Sequence, residues 1–216
     1  MAHNDHAAKG NRLLILIAVA LAAAGVVELS NVSAASGPPR PSAAIIGKLP
    51  PASKPAATTP PALPYSVPTH VDIPAVNLHA PVITVGLNAD DTIGTPPLSN
   101  AKVAAWYNRS PTPGQLGSAI LDAHVDSSLM SDYRGAFFYL GLTKPGMTIY
   151  VTRADHSVAV FTIDEVQTAL KADFPTDKVY AATPYAGLRL ITCGGDYDKQ
   201  THEYLGNTIV YAHMTT

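Results

Sequence analysis

From about residue 70 onward, the chain consists of short segments in which apolar and polar residues alternate and which end at turn residues. Such a period of two is typical of β-strands with one buried face. Five segments are predicted strands: residues 119–125, 148–153, 158–166, 188–193 and 208–213. No long stretch shows the 3.6-residue period of an amphipathic helix. The pattern predicts an all-β barrel or sandwich with one or two short helices.

Cys193 is the only cysteine among the 216 residues, so an internal disulfide is excluded and packing alone must hold the fold together. The net charge of -2 gives no basic surface of the kind that binds nucleic acid. The histidines and carboxylates show no paired spacing typical of a metal site, and solvated loops explain the acidic residues more simply. The sequence therefore predicts neither a metal nor a cofactor.

The N-terminal region contains an export signal. Lys9 and Arg12 precede an apolar run over residues 13–27, and positive residues before such a run keep that end in the cytoplasm. We expect residues 1–12 to be cytoplasmic and residues 13–29 to form a transmembrane anchor. A cleavable signal peptide is the alternative, since residues 32–35 are small enough for cleavage. Both interpretations place the rest of the chain outside the cytoplasm.

The segment between the apolar run and the predicted strands is rich in proline. Ten prolines fall between Pro38 and Pro68, among alanine, serine and threonine. Proline restricts the backbone to extended conformations and removes amide donors. Residues 30–69 are therefore a predicted extended linker, and residues 70–216 are the predicted folded domain.

Cys193 follows an apolar strand and precedes two glycines, Gly194 and Gly195. A side chain at the end of a strand is held by the sheet and is open to a ligand on its loop side. Glycine also lets another backbone approach closely. The position favours a functional cysteine over a buried one that serves only as a small apolar residue.

His124 occupies a similar position, at the end of an apolar strand that begins at Ala119. An imidazole can remove or deliver a proton near neutral pH, and beside a thiol it supports acyl transfer through a thioester. The separation of 69 positions between the two residues carries no information on distance, because catalytic partners meet in space. A histidine that only caps the strand is the alternative.

These two segments resemble those of the sortase family: the strand that ends in Thr192 and Cys193 is similar to its nucleophile motif, and residues 119–126 are similar to the strand with its histidine. Other segments resemble the actinobacterial class F sortases in particular. They are residues 71–74, 106–107, 111–115, 124–127, 174–176, 193–195 and 207–212.

The resemblance implies an eight-stranded sortase-type β-barrel with an open peptide groove. It also implies a cysteine transpeptidase that cleaves a sorting signal similar to Leu-Pro-x-Thr-Gly through a thioester. The acyl group would pass to an amine of a peptidoglycan precursor or a pilin. Such an enzyme would be a single-pass protein of the cell membrane, with its catalytic domain outside.

The resemblance further implies that Cys193 is the nucleophile and His124 the acid and base. Thr192 would line the groove, and Asp126 is a candidate for orienting the histidine, unless it is only a surface carboxylate. Sortases generally have an arginine near the start of the last strand, but residues 202–208 contain none. Asn207 is the first candidate to replace this donor. Arg189 has the same side-chain parity as Cys193, but lies about 13 Å away along the strand.

Two other functions compete with an active transpeptidase. The missing arginine favours a non-catalytic or weakly active peptide-binding paralogue. A hydrolase would share the first half of the reaction and use water as acceptor.

Overall fold

The structure, a computed structural model, describes residues 37–41 and 60–216. Residues Pro38–Thr216 form one compact unit, and of the preceding unit, Met1–Gly37, only Gly37 is among the described residues. The predicted cytoplasmic segment, the predicted anchor and most of the predicted linker lie outside the described residues. Within the part of the chain that is described, no helix has the length and apolar character needed to cross a membrane.

Eight strands form the framework of the unit. They are β1 (Pro68–Ile73), β2 (Leu78–Val85), β3 (Ala104–Tyr107), β4 (Gly117–Ala123), β5 (Thr148–Arg153), β6 (Val158–Leu170), β7 (Ala186–Asp198) and β8 (Glu203–Met214). The connection from β6 to β7 contains the α-helix α1 (Thr176–Tyr180). Short 3-10 helices lie at Pro74–Val76, Leu98–Asn100, Leu140–Leu142 and Lys171–Asp173.

The strands close into a barrel in the order β1-β2-β3-β4-β7-β8-β6-β5. The pairs β2–β3 and β4–β7 are parallel, and the other neighbouring pairs are antiparallel. A closed barrel leaves no unpaired strand edge, so each strand finds its hydrogen-bond partners on both sides. The predicted all-β fold with eight strands and few helices is confirmed.

Two apolar clusters stabilise the barrel. The larger one fills the interior and includes Leu121, Phe161 and Leu188, each fully buried. The smaller one lies on the outer face of β4, β7 and β8, where Ile191 and Tyr211 pack with Val179 of α1. Because β7 is covered on both faces, its sequence has a nearly continuous apolar run instead of a strict alternation. The outer cluster builds the wall of a groove described below.

The predicted strands differ from those of the structure mainly in where they end. The predicted strand at residues 148–153 coincides with β5, whereas β6 and β7 extend several residues beyond their predicted ends. The prediction that β7 ends at Cys193 is wrong. The strand continues to Asp198, because β8 is long enough to pair with it there, and a shift in register between Gly194 and Tyr197 absorbs the irregularity.

The described parts of the predicted linker contact the barrel. Leu63 and Val67 pack against the interior cluster, and the amide of Leu63 donates to the carbonyl of Gly114 at 2.8 Å. Residues 37–41 form no helix or strand and bend at Pro38, and the Pro39 carbonyl lies against Gly141. The role of the whole segment as a spacer stays a prediction.

Candidate active site

The parallel pair β4–β7 brings the predicted histidine and cysteine together. Its register pairs Leu121 with Leu190 and Asp122 with Ile191. Beyond the last pair, the Thr192 hydroxyl donates to the Ala123 carbonyl at 2.7 Å and holds the two strands side by side. Continued by two residues, this register would pair His124, which directly follows β4, with Cys193 of β7.

Side-chain parity puts both groups on the outer face of the barrel. Asp122 and Ile191 line the same external groove. Residues two positions further along each strand point to the same side of a sheet. By this parity, His124 and Cys193 lie on the same face of the sheet as the groove, although neither lines it, and both residues are only partly buried.

The hydrogen bond of His124 defines which ring nitrogen is available. Its Nε2 lies 2.6 Å from the carbonyl oxygen of Pro96, in the connection from β2 to β3. A carbonyl oxygen only accepts, so Nε2 must carry a proton. In the neutral ring Nδ1 is then unprotonated and can accept a proton from a thiol. The same carbonyl stabilises the ring after it becomes cationic.

Cys193 is a neutral thiol at neutral pH. Burial raises its pKa above the ordinary value of a thiol, and the negative charges of Asp122, Asp126 and Glu203 raise it further, whereas the Lys171 ammonium acts in the opposite direction. Since the thiolate is the nucleophilic form, the site needs a base close to the sulfur. His124 is positioned to be that base.

Asn207 of β8 is the direct partner of Cys193 in the antiparallel pair β7–β8. Opposed residues in such a pair point to the same face, with Cβ atoms about 5 Å apart. The Asn207 amide nitrogen donates to the Thr192 carbonyl at 3.3 Å. An amide nitrogen has two hydrogens, so the second is left for a ligand. The structure thus brings the predicted residues Asn207 and Thr192 next to Cys193.

Arg189, the other candidate donor, contacts Tyr211 and the backbone of its own strand. Its guanidinium lies 4.9 Å from the centre of the Tyr211 ring, and Nη1 donates to the Leu188 carbonyl at 3.1 Å. Burial lowers the pKa of this guanidinium. The side chain is enclosed four residues before Cys193 on β7, and these contacts hold it on Tyr211 instead of next to the sulfur.

Asp126 is bonded to a residue that the sequence did not single out. The Tyr204 hydroxyl of β8 donates to its carboxylate. Burial raises the pKa of Tyr204, and the bond to Asp126 raises it further, so the phenol remains a donor. The histidine predicted to be oriented by Asp126 bonds to Pro96 instead.

The groove next to this pair has a volume of about 190 Å³. Its floor consists of outward-facing residues of β3, β4, β7 and β8, and its walls come from the β2–β3 connection and the region of α1. The lining residues are Ile93, Thr95, Ala105, Tyr107, Ile120, Asp122, Phe174, Tyr180, Ile191 and Asn207. This shape suits an extended peptide with apolar and aromatic contacts.

A second, smaller hollow lies on the other side of Cys193. Pro38, Pro39 and Arg40 line it together with the cysteine. Arg40 forms an ion pair at 2.6 Å with Asp196, which follows Cys193 by three residues. Sequence reasoning missed this contact, because a proline-rich segment carries no signal for the surface on which it lies.

The described residues hold no group of three or more His, Cys, Asp and Glu side chains that is arranged to bind a metal ion.

The comparisons with known proteins identify the family. The family model of the sortase domain matches residues 71–215 of this chain. The chain belongs to the sortase family. The matched region contains all the strands except the first residues of β1, and with them both Cys193 and His124. No curated protein matches the chain.

Solved sortase structures share the fold of this sortase. Sortase A from Corynebacterium diphtheriae has a TM-score of 0.53 at 20% identity, with 69% of this chain and 61% of that chain covered. Sortase C from Clostridium perfringens has a TM-score of 0.50 at 16% identity, with 69% of this chain and 70% of that chain covered. Sortase C2 of pilus island 1 from group B Streptococcus has a TM-score of 0.51 at 17% identity, with 68% of this chain and 73% of that chain covered. At these identities, the likeness concerns the barrel itself.

Proposed function

We propose that this sortase is an exported cysteine transpeptidase in which Cys193 is the nucleophile and His124 the general base and acid. The observation that supports the proposal is the parallel register of β4 and β7, whose continuation by two residues pairs His124 with Cys193. The bond from His124 Nε2 to Pro96 adds to it, because it leaves Nδ1 available for the thiol proton.

The first half of the reaction forms a thioester. His124 Nδ1 takes the proton of the Cys193 thiol, and the sulfur attacks the carbonyl carbon of the scissile amide. The negative charge that develops on the carbonyl oxygen is stabilised by the second amide hydrogen of Asn207. The C–N bond then breaks, and the leaving amine takes the proton from the imidazolium.

The second half of the reaction transfers the acyl group. An amine acceptor attacks the thioester carbonyl and gives its proton to His124. The C–S bond breaks, and the sulfur regains a proton from the imidazolium. The thiol and the neutral imidazole are restored, so one pair of residues serves both halves.

The substrate in this proposal is a sorting signal similar to Leu-Pro-x-Thr-Gly, and the acceptor is an amine of a peptidoglycan precursor or a pilin. The groove near the pair, with its many apolar and aromatic side chains, supports an extended peptide substrate. Similarity of the motifs 111–115, 124–127 and 193–195 to class F sortases supports that subclass. The positive residues before the apolar run support a membrane anchor with the barrel outside.

A weakly active or non-catalytic peptide-binding sortase is the second candidate. Two observations favour it. The thiol of Cys193 has a raised pKa, which lowers the fraction of thiolate. In addition, β8 contains no arginine, and its residue opposite Cys193 is the uncharged Asn207.

A fluorogenic sorting-signal peptide tests the proposal. Wild-type protein is expected to cleave it, Cys193→Ala to abolish cleavage, and His124→Ala to lower the rate by about 100- to 10,000-fold, the range for a lost general base. The control is Asp72→Asn in β1, a strand that neighbours neither β4 nor β7 in the barrel. This variant should cleave the peptide as the wild type does. Cleavage of the peptide by Cys193→Ala would contradict the proposal.

Product analysis with added amine separates transfer from hydrolysis. Diglycine in excess should convert the acyl product to its amide, whereas a hydrolase would give the free acid only. If the peptide binds but neither product nor thioester forms, the second candidate is correct.

A further inference from the structure

The floor of the groove contains a carboxylate in apolar surroundings. Asp122 is paired with Ala105 on β3 and with Ile191 on β7, and both of these line the groove with it. Among the described residues that line the groove, Asp122 is the only one with a carboxyl group. An apolar residue would pack better against Ile120 and Ile191, so the fold itself has no need of an acid here.

The carboxyl group of Asp122 lacks a hydrogen-bond donor. Its Oδ1 is inaccessible and has no partner in the structure. Burial raises its pKa to about 7, which is the expected effect of an apolar site on a carboxylate without a compensating charge. Buried polar groups are nearly always bonded, so an orphaned one in a groove indicates a partner that arrives with a ligand.

The surroundings of Asp122 suit a particular kind of ligand group. Tyr107, Phe174 and Tyr180 provide aromatic walls. The pKa of Tyr180 is raised by burial and then by Tyr107 and Asp122, which shows that these three groups lie near one another. Aromatic rings attract a cation and cover the aliphatic part of a long side chain, while the carboxylate binds its charged end.

The position of Asp122 relates it to the scissile bond. It precedes His124, which directly follows β4, by two residues, and this corresponds to about 7 Å of extended chain. An extended peptide advances by the same distance in two residues. A side chain two or three residues from the scissile bond therefore reaches Asp122.

We propose that Asp122 is a specificity-determining residue that selects sorting signals with a lysine or arginine side chain within three residues of the scissile bond. The proposal rests on the proposed function of the groove as a peptide site. In the complex, the cation of the peptide bonds to the carboxyl group of Asp122 where it lines the groove, and its aliphatic part packs between the aromatic walls.

A peptide scan tests the proposal. Sorting-signal peptides carry a single lysine at each position in turn, and each is paired with a peptide that has norleucine at that position. For wild-type protein, kcat/KM should favour lysine at one position by about 10- to 100-fold, the range for a hydrogen bond to a charged group. In Asp122→Asn this ratio should fall to about one, whereas the control Asp126→Asn should retain it.

Binding measured without turnover keeps this test separate from the proposed chemistry. The same peptide pairs are titrated by fluorescence anisotropy into Cys193→Ala and into the double variant with Asp122→Asn. The lysine preference should be present in the first and absent in the second, whether or not the wild type is an active transpeptidase. Equal affinities for both peptides at every position, or a preference that survives Asp122→Asn, would overturn the proposal. The proposal would also be overturned if lysine changed the rate only when it is part of the acceptor amine and not when it is part of the sorting signal.

Discussion

At the scale of single residues, the site combines a protonated thiol with a base whose available nitrogen is fixed by a backbone contact. The bond to Pro96 orients the ring of His124, a task that the sequence analysis assigned to Asp126. Asn207 stands directly opposite Cys193 and is the nearest uncharged donor. In the proposed reaction, the amide of Asn207 takes the place of the charge that an arginine would supply.

Substitution of Asn207 measures how much this donor contributes. Asn207→Ala is expected to lower kcat by about 100- to 1,000-fold, the cost of removing one oxyanion donor in other enzymes. Asn207→Arg should raise kcat above the wild-type value, since a fixed positive charge stabilises the oxyanion better than a neutral amide. Steady-state kinetics with the fluorogenic peptide provide the comparison. Wild-type turnover in Asn207→Ala would contradict a role in oxyanion stabilisation.

The buried carboxyl of Asp122 makes stability depend on pH. Its pKa is raised to about 7 in the folded state, so the folded protein holds this proton more tightly than the unfolded chain does. The free energy of unfolding therefore falls as the pH rises from about 4 to about 7, by up to about 1.4 kcal/mol per pH unit.

Asp122→Asn removes this dependence. The variant should be more stable than the wild type at pH 8, while the two should differ much less at pH 4. Urea unfolding at both pH values gives the difference, with Asp72→Asn as a variant that leaves the groove intact. A difference that is the same at both pH values would contradict the raised pKa.

At the scale of elements, the parallel pair β4–β7 determines the geometry of the site. The sequence shows two apolar strands with chemically active residues near their ends, but 69 positions separate these residues and no local signal tells which strands are neighbours. The register of this pair is a property of the closed barrel. Residue types could therefore be predicted, whereas their contact could not.

The strands that escaped prediction have physical reasons for doing so. β1 begins with Pro68, and β2 contains Pro81. Proline is a signal against strand structure, because it has no backbone N–H to donate to a neighbouring strand. β3 has only four residues, two of them alanine. In contrast, β5 has no proline and alternates regularly, and its predicted bounds match.

The segment Pro38–Arg40 is the element that sequence reasoning placed least well. No side chain fits at position 141, because the Pro39 carbonyl lies against Gly141. Gly141→Ala should therefore displace this segment from the hollow that it shares with Cys193.

The rate of alkylation by iodoacetamide is expected to rise severalfold in Gly141→Ala, because the sulfur becomes more accessible. Leu142→Ala, at an exposed neighbouring position, is the matched control and should react as the wild type does. An unchanged rate in a Gly141→Ala protein with an unchanged melting temperature would show that the segment does not shield the thiol. As Cys193 is the only cysteine, every adduct reports on this site.

At the scale of the whole molecule, the barrel holds its main core inside and builds the groove on its outer face. The interior cluster stabilises the strands, while the outer cluster with α1 forms a wall of the groove. The sequence singled out Cys193, His124, Asn207 and Thr192 because they lie in recognisable segments, and their roles stay predictions. Asp122 was not singled out, although a carboxylate at the parity of His124 in an apolar strand was a visible signal.

The most direct test of the account is the capture of a thioester between Cys193 and a sorting-signal peptide, measured by intact-protein mass spectrometry after acid quenching. The wild type should gain the mass of the acyl fragment and lose it on addition of hydroxylamine. His124→Ala should gain it far more slowly, and Cys193→Ala should not gain it at all. An acyl adduct in Cys193→Ala, or equal rates in wild type and His124→Ala, would contradict a thiol and an imidazole that act as a pair.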